Sequence, residues 1–191
     1  MNPLERNIIL ASTSPRRSQL LKEAGFQFEV KTKDVEETYP ADLPIDEVAG
    51  FLARKKATAA QDFIQNDEII IAADSVVILD GVIYGKPRDY DDAFQMLRKL
   101  SGQLHRVITG VCLLSSSNEK VFSAESQVQI EAMSDAEIDF YVQKYKPYDK
   151  AGSYAVQEWI GLCKISRIEG TFTNIMGLPV DLVYRELIDF R

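Results

Sequence analysis

Residues 69–84 read IIIAADSVVILDGVIY, and this stretch decides the class of fold. Two apolar runs, rich in β-branched residues, flank the dipeptide Asp80-Gly81. Because Asp-Gly between apolar runs is a strong signal for a tight hairpin turn, the stretch predicts two antiparallel strands. A single acid, Asp74, interrupts the first run.

The segments around this hairpin alternate between strand and helix patterns. Residues 7–11 predict a short buried strand that leads into a helix from Pro15 to about Ala24, closed by Gly25. The other predicted strands are 26–32, 104–115, 119–130 and 160–168, and the other predicted helices are 44–64, 89–100, 134–145 and 179–190. Helices mixed with hairpins indicate an α/β fold with a mixed sheet. Since no linker is evident, we expect one domain over residues 1–191.

The composition is that of an ordinary globular protein. A hydrophobic share of 46% and a charged share of 27% exclude disordered and collagen-like chains. The net charge of -7 argues against a general nucleic-acid binder, which needs clustered Lys and Arg. No apolar run reaches the roughly 18 residues of a membrane span, and the chain shows no signal-peptide pattern. We therefore expect a cytoplasmic protein without a nucleic-acid or membrane partner.

The cysteines and the single histidine exclude several kinds of site. Cys112 and Cys163 lie far apart in apolar stretches and form no C-x-x-C motif. We expect both to be reduced core residues, not members of a disulfide or a zinc site. His105 is the only histidine, which excludes a multi-histidine metal site and leaves a Ser-His-Asp triad with one possible base.

The start of the first predicted helix carries positive charge where helix stability favours acids. Residues 12–17 read STSPRR, so Ser14 is a good N-cap, and Arg16 and Arg17 fall in the first turn. The helix dipole disfavours cations there. A bound anion would resolve the conflict, because free N–H groups, the hydroxyls of Ser12 and Ser14 and two guanidinium groups form a phosphate cradle. The alternative is that both arginines point into solvent or pair with acids, and this segment favours neither.

Asp74 needs a partner, since a buried unpaired carboxylate costs about several kcal/mol. A structural role at a bulge or loop is common for such an acid. The candidate partner with a positive charge is Lys86. A three-residue turn over 79–81 would place Lys86 directly opposite Asp74, whereas a two-residue turn over 80–81 would place the two side chains on opposite faces unless Gly85 introduces a bulge.

Two further charged segments are candidates for the same site. Glu36 and Glu37 lie in a loop and are solvated by default, but beside Asp74 and a triphosphate they would be natural ligands for Mg²⁺ or Mn²⁺. Residues 54–56 read RKK on a predicted helix. One of these three cations could reach a phosphate while the others stay exposed.

Residues 148–157 read YDKAGSYAVQ and could recognise a base. Gly152 allows a tight backbone path. A primary amide such as that of Gln157 offers a donor and an acceptor to the imide edge of uracil or thymine. Tyr148 or Tyr154 could stack on a base, although a tyrosine is more often half-buried packing.

Taken together, these motifs resemble the Maf family of nucleoside triphosphate pyrophosphatases over nearly the whole chain. The segments that carry the resemblance are 12–17, 73–75, 85–89, 109–111, 149–154 with Gln157, and 177–179. The resemblance implies an α/β fold of the inosine-triphosphate-pyrophosphatase (Maf/Ham1) type, with a long bent mixed sheet, two lobes and a central cleft. It also implies metal-dependent hydrolysis of a nucleoside triphosphate to the monophosphate and pyrophosphate, and usually a homodimer.

The resemblance assigns roles residue by residue. Asp74 matches the family's catalytic acid, described as a proton acceptor, and base or metal ligand are both open roles for it. The positions tied to base choice are Arg17, Ser75 and Gln157. The positions matching the phosphate and metal site are Ser12, Arg16, Glu37, Lys56 and Lys86.

The subgroup similar to this chain prefers dTTP and UTP. The chain departs from this subgroup's pattern in two places: Ser75 stands where Thr is usual, and Ala155 and Glu158 stand where Gly is common. Two alternatives remain, a 7-methyl-GTP pyrophosphatase and a nucleotide-binding regulator of septum formation without turnover.

Overall fold

The protein, described by a computed structural model over residues 2–190, has a mixed α/β fold, and the ends Met1 and Arg191 of the predicted domain lie outside the described residues. The strands are β1 (Ile8–Leu10), β2 (Phe28–Val30), β3 (Ile69–Leu79), β4 (Val82–Tyr84), β5 (Leu104–Leu114), β6 (Glu119–Ile130) and β7 (Ile165–Glu169). The helices are α1 (Pro15–Glu23), α2 (Val48–Ala59), α3 (Tyr90–Leu100), α4 (Asp135–Tyr145), α5 (Trp159–Cys163), α6 (Phe172–Met176) and α7 (Val180–Asp189).

The seven strands found within residues 2–190 belong to one sheet with the order β2-β1-β3-β5-β6-β7, and β4 pairs with β3. β1 runs parallel to both β2 and β3, while the β3–β4 and β6–β7 pairs are antiparallel. The prediction of a mixed sheet is therefore confirmed. The parallel pairs follow from strand–helix–strand connections, and the antiparallel β3–β4 pair follows from a tight turn.

The hairpin turn contains two residues. Leu79 pairs with Val82, and both Asp80 and Gly81 have positive φ angles, of 51° and 73°. Such a turn matches the twist of the flanking strands, which explains the Asp-Gly sequence. The alternative of a three-residue turn is wrong, and the ladder ends at the Val77–Tyr84 pair without reaching Lys86.

Two predicted segments differ from the structure, and one helix of the structure was not predicted. The predicted helix 44–64 is the shorter α2 flanked by 3₁₀ turns at Ile45–Glu47 and Gln61–Phe63. The predicted strand 160–168 is the one-turn helix α5 followed by β7, because a short apolar run does not distinguish strand from helix. α6 was not predicted.

The chain divides into two compact units. The first takes in the described residues up to Asp74, together with Thr109–Ala124 and the segment from Gly177 onward. The second takes in Ser75–Ile108 and Glu125–Met176.

Each unit has its own apolar core. In the first unit, small residues of α2 pack against β1, β3 and β5, and Gly110 on β5 leaves room for the backbone of α2. The core of the second unit is built mainly from α3, α4 and the strand segments of that unit. Cys112 is buried in the first core, as predicted, but Cys163 is exposed, because α5 buries only Ile160. Within residues 2–190, we find no helix both long and apolar enough to cross a membrane.

Candidate active site

The loop between β1 and α1 reaches the level of Asp74. Leu10 pairs with Ile71, and the Ala11 N–H donates to the Ile71 carbonyl at 2.9 Å. Because the two strands are parallel, the residues that follow Leu10 come level with those that follow Ile71. Ser12 therefore begins its loop beside the part of β3 that contains Asp74.

The start of α1 has the features expected of an anion site. Ser14 occupies the N-cap position but its side chain makes no capping hydrogen bond, and the first turn contains no acid. The Ser14 N–H donates to the Ser12 hydroxyl oxygen at 3.2 Å. An anion bound at this helix terminus would meet the side chain of Ser14 and the positive end of the helix dipole.

Arg17 is held inside this loop. Its Nε donates to the Gly177 carbonyl at 2.7 Å, and its Nη1 donates to the Ser12 hydroxyl at 3.2 Å. Burial lowers the pKa of the Arg17 guanidinium, and the nearby charges of Asp74 and, more weakly, Glu37 oppose that shift. The alternative that both arginines point into solvent is wrong, because Arg17 is fixed and Arg16 is half-buried.

Lys56 on α2 joins two of the acids that the sequence singled out, Glu37 and Asp74. Its ammonium donates to Glu37 Oε1 at 2.8 Å and to Asp74 Oδ1. The side chains of Lys56 and Asp74 are only 18% and 11% exposed. Asp74, at 8% exposure, therefore has the cationic partner that its burial requires.

The other two cations of segment 54–56 do not point to Asp74. Arg54 pairs with Glu119 at 2.9 Å. Lys55 donates to the carbonyl and hydroxyl oxygens of Thr38, at 3.1 and 3.0 Å. Thr38 follows Glu37 directly, so Lys55 anchors the acidic loop to α2. The prediction that one cation of the three serves the site is consistent with the position of Lys56.

The donors of this cluster fit a hard divalent cation. Glu37 and Asp74 both place a carboxylate oxygen against the single ammonium of Lys56, which shows that the two acids converge on one positive charge. Within the described part of the chain, no group of three or more potential ligand side chains is found. Mg²⁺ is commonly bound by one or two carboxylates together with phosphate oxygens and water.

The remaining candidate residues belong to the second unit. Lys86 is exposed on the loop after β4, and Ser75 is half-buried on β3. The Gly85 carbonyl accepts a hydrogen bond from the Gly152 N–H at 3.0 Å. Gly152 has a φ of +67°, and a Cβ there would lie 3.0 Å from the Val77 side chain. Gly152 thus has the tight backbone path that its sequence allows.

The candidate base-recognition segment exposes Gln157 but not Tyr154. Residues 152–156 are buried, and Gln157 is exposed. Tyr154 is 5% exposed and its hydroxyl lies 2.7 Å from His105 Nε2, so it is a core residue and cannot stack on a base. Tyr148 is 38% exposed and keeps an accessible ring.

Of the ten predicted site residues, seven lie in the first unit and three in the second. Those of the first unit are Ser12, Ser14, Arg16, Arg17, Glu37, Lys56 and Asp74, and those of the second are Ser75, Lys86 and Gln157. Sequence reasoning missed the carbonyl of Gly177 as the acceptor for Arg17, and it missed the anchoring of the acidic loop by Lys55. No pattern in the sequence identifies these contacts, since the partners are far apart along the chain.

Comparisons with known proteins show the family of the chain. The family model described as "Maf-like protein" matches residues 7–190. A protein of Phocaeicola vulgatus named dTTP/UTP pyrophosphatase is 52% identical over 181 residues, with 94% of each chain covered. A protein of the same name from Porphyromonas gingivalis strain W83 is 50% identical over 186 residues, covering 96% of this chain and 94% of its own.

Among solved structures, the Ham1 protein of Staphylococcus aureus is similar at a TM-score of 0.48 and 18% identity. The match covers 65% of this chain and 72% of the Ham1 chain.

Proposed function

Because the chain belongs to the Maf-like protein family, we propose that it is a nucleoside triphosphate pyrophosphatase that hydrolyses dTTP and UTP to the monophosphate and pyrophosphate. The observation that carries this proposal is the cluster in the first unit, where Lys56 contacts both Asp74 and Glu37. The charges of the same two acids raise the pKa of Arg17 against the effect of burial. Cations and acids that converge in this way suit a metal-bound polyphosphate.

The chain's own residues supply binding and charge compensation. The N–H groups at the start of α1, the hydroxyls of Ser12 and Ser14, and Arg16 bind the triphosphate, and Arg17 fixes the shape of the loop. Charge compensation makes pyrophosphate a better leaving group when water attacks the α-phosphorus. Positioning and electrostatic stabilisation therefore carry most of the catalysis.

A divalent cation would be held by Asp74 and Glu37, and it would supply charge neutralisation and activation of water. Lys56 exchanges its contact with Asp74 for a phosphate oxygen when substrate is bound. This exchange frees Asp74 to orient a water molecule or to hold the cation. Both roles require the carboxylate, so both make the same prediction for its removal.

Ser75, Lys86 and Gln157 are proposed to contribute to the same reaction, Lys86 through phosphate and Ser75 and Gln157 through base choice. The exposure of Lys86 and Gln157 supports their availability to a ligand. A single catalytic domain and a cytoplasmic location, both expected from the sequence, and a homodimer, implied by the family resemblance, are further proposals. Light scattering coupled to size-exclusion chromatography tests the dimer.

Phosphate release coupled to inorganic pyrophosphatase, over a panel of nucleotides with Mg²⁺ or Mn²⁺, tests the activity. We expect turnover of dTTP and UTP, with phosphate appearing only when the coupling enzyme is present. Asp74→Asn should abolish turnover, whereas Asp62→Asn, which removes an exposed carboxylate paired with Lys33 in the same unit, should not. Wild-type activity in Asp74→Asn would refute the assigned role. Saturable binding without turnover would favour the septum regulator, and preference for 7-methyl-GTP would refute the substrate assignment.

A further inference from the structure

The turn that carries Gln157 is fixed on both sides of that residue by a single hydroxyl group. Tyr141 lies on α4 and is fully buried. Its hydroxyl accepts a hydrogen bond from the Ala155 N–H at 3.1 Å and donates one to the carboxylate of Glu158. Ala155 precedes Gln157 by two residues and Glu158 follows it. One phenol group therefore links the two ends of the turn to the core of the second unit.

Glu158 makes a second contact, and we call Tyr141 and Glu158 together the clamp. Its Oε1 lies 3.4 Å from the ammonium of Lys150, and the side chains of Lys150 and Glu158 are only 10% and 18% exposed. Glu158 occupies the N-cap position of α5, yet its side chain makes no capping hydrogen bond. The carboxylate is therefore directed to Tyr141 and Lys150 and not to its own helix.

The backbone of the turn is also closely packed. The Glu158 N–H donates to the Ala155 carbonyl at 3.1 Å. A Cβ at Gly161 would lie 1.7 Å from the Val156 carbonyl oxygen, so α5 packs directly on the turn. The side chain of Gln157 is exposed, whereas the neighbouring residues of the turn are held by these contacts.

We propose that Glu158 and Tyr141 are positioning residues that hold the Gln157 amide in register with the base and so set the preference for thymine and uracil over cytosine. The inference rests on the proposed role of Gln157 in base choice. Uracil and thymine offer acceptor, donor and acceptor along the pairing edge, whereas cytosine offers donor, acceptor and acceptor. A primary amide that shifts by one ring position along the edge can pair with cytosine. Discrimination by this amide therefore requires that both its turn and the orientation of its carboxamide stay fixed.

The test compares kcat/KM for dTTP with kcat/KM for dCTP in variants of the clamp. We expect Glu158→Ala and Tyr141→Phe each to lower the dTTP-to-dCTP ratio about tenfold, with KM for dTTP raised and kcat nearly unchanged. Glu158→Gln keeps an oxygen acceptor for Tyr141 and should retain most of the ratio. Tyr145→Phe is the matched control, because Tyr145 is on the same helix and stacks on Tyr141 with ring centroids 4.8 Å apart.

A double-mutant cycle with Gln157→Ala separates positioning from general stability. If Glu158 acts through Gln157, then Glu158→Ala should not lower the ratio further in the Gln157→Ala background. An unchanged ratio in Glu158→Ala and Tyr141→Phe, or an equal loss in both backgrounds, would overturn the inference. If Glu158→Ala does not fold, Tyr141→Phe and Glu158→Gln carry the test. Failure of the wild-type protein to turn over dTTP would instead refute the proposed function itself.

Discussion

The substitution Gly110→Ala tests whether α2, which carries Lys56, is seated against the sheet by backbone contact. A Cβ at Gly110 would lie 2.3 Å from both Ala49 C and Gly50 N, and 2.5 Å from Ala49 O. These are backbone atoms, so no side chain can rotate to make room. Because non-bonded carbon atoms prefer about 3.5 Å, α2 would have to move by roughly 1 Å.

The cost follows from this rigidity. Overpacking of a core typically costs about 1–3 kcal/mol, and a clash with fixed backbone belongs at the upper end. With a urea slope of about 2 kcal/mol per M, a loss of about 3 kcal/mol lowers the unfolding midpoint by about 1.5 M. Since Lys56 moves with the helix, we also expect kcat/KM for dTTP to fall by about 100-fold.

Urea denaturation followed by circular dichroism measures the first effect, and the coupled phosphate assay measures the second. Gly85→Ala is the matched control, since no atom lies within 4 Å of a Cβ at that position. The control should stay within about 0.5 kcal/mol of the wild-type free energy of unfolding. A Gly110→Ala protein whose midpoint lies within about 0.3 M of the wild-type value would refute the proposed seating of α2.

Three further measurements follow from side-chain environments. Burial lowers the pKa of His105 to about 4, so the unfolded chain binds a proton at a higher pH than the folded chain does. The free energy of unfolding should therefore fall as the pH drops from about 6.5 to about 4. In urea titrations over this pH range, a His105→Gln variant should lose that part of the pH dependence. The hydrogen bond from Lys164 is the main cause that lowers the pKa of Glu137 to about 2, and NMR titration should show the value rise in Lys164→Met. A thiol reagent should label the exposed Cys163 quickly in the folded protein. It should label Cys112 only on unfolding, because Cys112 is buried and burial raises the pKa of its thiol to about 12. Equal labelling rates for the two cysteines would contradict this expectation.

Much of the fold was predictable because its signals act over a few residues. The Asp80-Gly81 turn has the backbone angles that its sequence favours. The predicted helix starts at residues 134 and 89 are confirmed, because Ser134 begins α4 with a capping box and Asp89 caps α3. In each case the hydrogen-bonding partner lies within four residues, so the local sequence is enough to specify the turn or the helix start.

Other features depend on packing between distant segments. The sequence predicted Cys163 in the core and left Tyr154 as a possible stacking residue, but the structure exposes the first and buries the second. An apolar run indicates that some of its side chains are buried, but it does not indicate which side chains of a short helix face the core. The clamp on the Gln157 turn was invisible for the same reason, because Tyr141 and Glu158 lie on separate elements.

The sequence by itself determined the mixed α/β class, the hairpin, the helix caps and the charged loop before α1, because short-range hydrogen bonding and hydrophobic periodicity specify them. It also identified Asp74 as an acid in need of a partner. Only the tertiary structure decided that the partner is Lys56, 18 residues away, and that Glu37 shares the same ammonium. Such pairings depend on how closely α2 approaches the sheet, and that distance is set by the absence of a side chain at Gly110, a contact that only the folded chain contains.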